Sequence, residues 1–97
     1  MSAERVERIR EYLEAALAPQ QLEVIDESHL HAGHASAGGK GHFRVRVVSG
    51  RFSGLGLLQR HRLVYDALSE LMEQDIHALA IEARTPEESN RSKESSS

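Results

Sequence analysis

The chain contains no cysteine. That excludes a disulfide framework, gives no sign of an oxidising compartment, and removes both thiolate nucleophiles and thiolate metal ligands. Tryptophan is absent too, and the aromatics are two Tyr and two Phe. Any core must therefore be built from Leu, Val, Ile and Ala. No apolar run approaches the roughly 18 residues of a membrane span, and no apolar signal segment is present. The first helix carries Glu4, Glu7, Glu11 and Glu14, acids that a transit peptide avoids. A soluble, cytoplasmic protein without membrane contact is expected. The last absence is local: from Ser28 to Tyr65 there is no Asp or Glu. That segment holds Lys40, Arg44, Arg46, Arg51, Arg60 and Arg62 and five of the six histidines, although the net charge is −3. A single-sign field of this kind suits an anionic partner. The competing reading is that Arg44 and Arg46 only solvate the open face of a strand.

With 97 residues the chain forms one domain. A chain of this size buries roughly 60–65% of its extended surface, enough for one core. Ser2 to Ala18 reads as a helix, with Val6, Ile9, Leu13 and Leu17 on one face and Pro19 ending it. Gln21 to Glu27 reads as a strand with Leu22 and Val24 on one side. Ser28 to Gly41 is a loop rich in Gly, Ala and His, long enough to carry function. His42 to Val48 alternates cleanly. Phe43, Val45 and Val47 point one way, and His42, Arg44 and Arg46 the other. A turn at Gly50, Gly54 and Gly56 leads into a helix reaching about Gln74. Its expected buried stripe is Leu57, Leu58, Val64, Leu68, Leu71 and Met72, beneath the basic run Arg60, His61, Arg62. Ile76 to Ala83 is the third strand. Strand, helix, strand makes a right-handed crossover, so the second and third strands pair in parallel and the first two antiparallel. The expectation is an α+β sandwich of αββαβ order, a three-stranded mixed sheet with the helices on one face. Residues 1–86 form the domain, with one short helical turn at Pro86, and residues 87–97 a disordered polar tail.

Two glycine motifs carry no chemistry. Gly33 to Lys40 has the wrong spacing for a phosphate loop, lacks a following Ser or Thr, and precedes a strand instead of a helix. Gly38-Gly-Lys-Gly41 matches a GxxG string but joins two strands, where nucleic-acid modules place it between helices. No spacing assembles a nucleophile, base and orienter, so an enzyme is not expected. The histidines are more telling. His29, His31 and His34 share one loop at spacings that can chelate a borderline metal. His77 opens a strand where packing does not require a polar ring. His61 reads as a helix-to-sheet contact or part of the basic patch.

Taken in order, DESHLHAGH, HFRVRVVSGRF, LLQRHRLVY and IHALAIEARTP resemble the BolA family from about Val6 to Pro86. RHRLVY and IHALAI are the specific parts. The resemblance implies a fold similar to type II KH modules. It implies a non-enzymatic adaptor that forms a heterodimer with a monothiol glutaredoxin, the isolated chain being a monomer or weak homodimer. The pair would share a [2Fe–2S] cluster held by the glutaredoxin cysteine, a glutathione thiol and histidine from this chain. A chain without thiolates cannot hold such a cluster alone, because these clusters are normally built on cysteine sulfur. The position matching the family's C-terminal ligand is His77. The second ligand falls in the loop: counting from Asp26-Glu-Ser points to His31, and the Gly-His-Ala context to His34. Some members are DNA-binding transcriptional regulators, for which Lys40, Arg44, Arg46, Arg60 and Arg62 would meet phosphates.

Overall fold

The computed structural model describes the backbone of residues 2–28 and 41–95 and the side chains of residues 3–28 and 41–90. Helix α1 runs from Ser2 to Leu17. Ile9, Leu13 and Leu17 are buried along one face, as the three- and four-residue steps predict, and Val6, Tyr12 and Ala16 pack partly beside them. The helix stops at Ala18, which takes a left-handed φ of 43°. Pro19 disfavours helical angles for the residue before it, and Ala18 leaves the right-handed region at once. A left-handed Ala costs about 1–2 kcal/mol, so the turn is held from outside. Ser49 supplies part of that hold, its buried Oγ donating to the Leu17 carbonyl at 2.7 Å.

Strands β1 (Gln21–Asp26), β2 (Gly41–Val48) and β3 (Ile76–Arg84) form one sheet in that order. β1 and β2 are antiparallel, with Leu22 opposite Val47 and Val24 opposite Val45. β2 and β3 are parallel, with Val45 opposite Ile81. Phe43, Val45 and Val47 are buried against the helices. The mixed α+β sandwich read from the periodicities is the observed one.

The crossover differs from expectation in two ways. A 3-10 turn at Gly50–Phe52 leads to α2 (Leu57–Ala67), and a separate short helix, α3 (Ser69–Gln74), follows. The break is at Leu68, whose φ of −105° and ψ of 14° leave the helical range. Its fully buried side chain joins the core at that bend. Second, Leu57 and Leu58 are not in the stripe: they are 70% and 65% exposed. The buried positions run Arg60, Val64, Leu68, a four-residue step, and the Arg60 side chain takes the place at the helix start expected of leucine.

The polar end also departs from expectation. Residues Pro86–Ser95 form helix α4, where an irregular tail from residue 87 was expected. Thr85 and Glu88 cap it reciprocally: Glu88 N donates to Thr85 Oγ1 at 3.2 Å, and Thr85 N donates to Glu88 Oε1 at 2.9 Å. Pro86 sits at the first helical position, where its missing N–H costs nothing. The capping signal was present in Thr-Pro-Glu-Glu; the Ser-rich composition beyond it obscured it.

Candidate functional site

The open face of the sheet follows from strand alternation. His42, Arg44 and Arg46 on β2 point away from the helices, beside Ala78, Ala80 and Glu82 on β3 and, for the two arginines, Ile25 and Glu23 on β1. Arg46 bridges both neighbours, with Nε 2.7 Å from Glu82 and Nη1 3.2 Å from Glu23. Its hydrogen bond holds the Glu82 carboxyl below the usual carboxylate range. Arg44 Nε is 3.0 Å from Glu27. The acid-free stretch of sequence is therefore not a field of free cations, because folding lays the acidic flanks against it.

The same holds for the first arginine of the basic helix. Arg60 is buried. Its guanidinium forks onto Glu88 at 2.7 and 3.2 Å and also donates to the carbonyls of Leu55 and Ala83. Of the five residues expected to meet phosphates, Arg44, Arg46 and Arg60 are thus held by carboxylates. Arg62 is exposed and makes no ion pair with another described residue. Lys40 lies outside the described residues. His61 is half-buried and lines a groove with Leu57, Ile81 and Glu88.

The corner where β2 and β3 begin is built differently. Gly41 pairs with Ile76, and His42 with Ala78, so the register shifts by one and His77 is the extra residue. Such a bulge re-aims a side chain. The exposed ring of His77 lies against that of His42, with centroids 5.1 Å apart and planes at 63°. His77 makes no hydrogen bond or ion pair with another described residue. Gly41 is required here by close approach: a Cβ would stand 2.6 Å from Phe43 Cε2 and 2.9 Å from Ser28 Oγ.

Ser28 and Gly41, the described residues on either side of residues 29–40, meet at this corner. Ser28 N donates to Asp26 Oδ1 at 2.8 Å, and Ser28 Oγ accepts from His42 N at 3.1 Å. Gly41 N donates to the carbonyl of Asp75, two residues before His77, at 2.9 Å. His29, His31 and His34 themselves lie outside the described residues. Among the described residues no three His, Cys, Asp or Glu side chains come together as a metal site. Sequence reading placed His42 on the wet face but did not join it to His77. The signal was available, since parallel pairing sets the starts of the second and third strands side by side.

Residues 13–88 match the family described as BolA-like protein. The mouse BolA-like protein 1 is 56% identical over 78 residues, covering 80% of this chain and 56% of that protein. The chain thus spans about half the length of that relative. The DNA-binding transcriptional regulator BolA of Escherichia coli is 46% identical over 82 residues, covering 84% of this chain and 76% of that protein. Among solved structures, the BolA domain of SufE1 from Arabidopsis thaliana has 49% identity and a TM-score of 0.78, covering 87% of this chain and 94% of that one. A family match over most of the domain, close relatives and a shared fold lead to one conclusion: the chain belongs to the BolA family.

Proposed function

We propose that this chain is a non-enzymatic adaptor that binds a monothiol glutaredoxin and contributes histidine to a shared [2Fe–2S] cluster, in cluster trafficking or iron regulation. The observation that carries this reading is His77: an exposed imidazole, set on a bulge, unpaired among the described residues and beside Ser28 and Gly41. The donor set fits the group. An imidazole takes the place of a thiolate where histidine ligates a [2Fe–2S] centre, and this chain offers imidazoles but no sulfur. His77 and one loop histidine, His34 or His31, would hold the iron. The glutaredoxin and glutathione thiols would complete it. The cluster, when bound, is the cargo and the redox centre; the chain's own part is to present the His77 imidazole beside Ser28 and Gly41, which flank His29, His31 and His34 in the sequence.

The test mixes the chain with glutathione-loaded glutaredoxin carrying its cluster and records visible circular dichroism. The spectrum should change on adding the wild-type chain and should lose that change with His77→Ala. No change for wild type, or the same change for His77→Ala, refutes the proposal.

A second reading is DNA binding. It is supported by the name of the Escherichia coli relative and by Arg51 and Arg62, which are exposed on and beside α2. Pairing of Arg44, Arg46 and Arg60 with carboxylates weighs against a large phosphate footprint. Fluorescence anisotropy on duplex DNA decides: affinity should fall by ~0.9 log units per log of salt for each phosphate contact. Absence of binding at low salt removes this reading.

A further inference from the structure

We propose that the start of α2 and the turn before it form a membrane-contact surface, fitted to the headgroup layer of a bilayer rich in anionic phospholipid. Leu57 and Leu58 are 70% and 65% exposed, and Tyr65 is 39% exposed. These are the exposed large apolar side chains among the described residues. Residues four apart share a helix face, so Leu57, His61 and Tyr65 form one row and Leu58 and Arg62 the next. Both rows face away from the buried row of Arg60, Val64 and Leu68.

The turn in front of the leucines is slim and open. Phe52 is fully buried and pins the 3-10 turn, and Leu55 N donates to Phe52 O at 3.1 Å to close a second one. Gly54 has a left-handed φ of 79°, and a Cβ at Gly54 or Gly56 would meet nothing within 4 Å. No helix among the described residues is long and apolar enough to cross a bilayer, so the contact is peripheral, although composition alone suggests none.

Charge selects the partner. Arg51 and Arg62 are exposed and make no ion pair with another described residue. From Ser49 to Tyr65 the sequence has no Asp or Glu, and Asp66, the first acid on α2, comes two turns after Leu58. Glu88, which lines the groove beside Leu57, is engaged by the Arg60 guanidinium. Aliphatic tips flanked by cations match an anionic interface: the leucines enter the acyl boundary, the arginines meet the headgroups, and a tyrosine sits at that depth. DNA would use the arginines but gain nothing from the leucines. So few groups give a weak, reversible contact that brings the chain to a membrane without anchoring it.

The experiment uses the whole chain and two kinds of vesicle, phosphatidylcholine alone and an equal mixture with phosphatidylserine. Sedimentation in low-salt buffer measures partitioning. The chain should bind the mixed vesicles and not the neutral ones. Leu57→Ser and Leu58→Ser should each lower partitioning by ~10-fold, and Arg62→Gln by about 5-fold. Both leucines are exposed, so their substitution spares the core. Nitroxide-labelled lipid should broaden the methyl NMR signals of Leu57 and Leu58 in the wild-type chain and spare those of Leu22 on β1. Absence of binding to mixed vesicles, equal binding to neutral ones, or full binding by the leucine variants overturns the proposal. Full binding by the leucine variants with loss in Arg62→Gln marks a purely electrostatic surface, of the kind DNA would use.

Discussion

Replacing Arg60 with Ala should destabilise the domain far more than loss of a surface arginine would. The side chain is 11% exposed and Glu88 36%. Arg60 Nε donates to Leu55 O at 2.9 Å, and Nη1 donates to Ala83 O at 3.1 Å. Truncation strands both carbonyls, at about 1–3 kcal/mol each if they stay dry. Water entering the space left behind brings each toward the low end. The Glu88 carboxylate is partly hydrated already, so loss of its pair adds only about 1 kcal/mol. The sum is about 3 kcal/mol, a large share of the 5–15 kcal/mol of a typical domain. At about 4–8 °C per kcal/mol for a domain of this size, the melting temperature should drop by roughly 12–24 °C. Urea unfolding should show a lower midpoint with an unchanged slope. Arg60→Lys keeps the charge but loses the fork, and should recover only part of the loss. If Arg60→Ala costs under about 1 kcal/mol, the side chain is not the brace described here. In that case it becomes available to phosphates, and the DNA reading gains a cation.

Three further outcomes follow from single contacts. Ser49 is fully buried, donating to Leu17 O at 2.7 Å and accepting from Arg51 N at 3.1 Å. Ser49→Ala should cost about 1–3 kcal/mol in the same urea assay, and a neutral result would mean that water replaces the hydroxyl. Gly41→Ala places a methyl 2.6 Å from the Phe43 ring and should cost about 1–3 kcal/mol by overpacking. Unchanged stability would show that the ring moves freely. Glu82 has its carboxyl pKa lowered from 4.5 chiefly by the Arg46 hydrogen bond. The stabilisation this gives is full above the unfolded value and is lost as pH falls through the folded one. Carbon-detected NMR should find the Glu82 midpoint below 4.5 and moving up in Arg46→Ala. An identical midpoint in both proteins would rule out the pairing in solution.

The parts of the fold set by repetition were legible in the sequence. Val6, Ile9, Leu13 and Leu17 announced α1, and the alternation from His42 to Val47 announced β2 and its two faces. The strand–helix–strand order then pointed to the parallel partner. What escaped the sequence were features decided by distant partners. Arg60 looked like a surface charge because its acceptors come from Leu55, Ala83 and Glu88. Leu57 and Leu58 looked like core because leucine usually is. The acid-free run looked electropositive because Glu23, Glu27 and Glu82 are supplied by neighbouring strands. Of the candidate site, His77 was readable from the string it sits in. His42 was not joined to it, because their contact depends on the pairing register.

That register has a physical cause in the order Ile76-His77. Without the bulge, pairing Ala78 with His42 would set His77 opposite Gly41. Gly41 faces the Phe43 ring, on the core side of the sheet. His77 would then be buried without a partner, which is costly, and Ile76 would turn outward. Inserting one residue reverses both outcomes. Ile76 enters the core at 2% exposure, a gain of about 1.5–3 kcal/mol for an aliphatic side chain. His77 is released to the open face beside His42. The cost is a locally disrupted ladder at the start of β3, and Gly41 donating to Asp75 O restores one of its bonds. The hydrophobic preference of one isoleucine thus places the imidazole, and every functional reading of this corner depends on that placement.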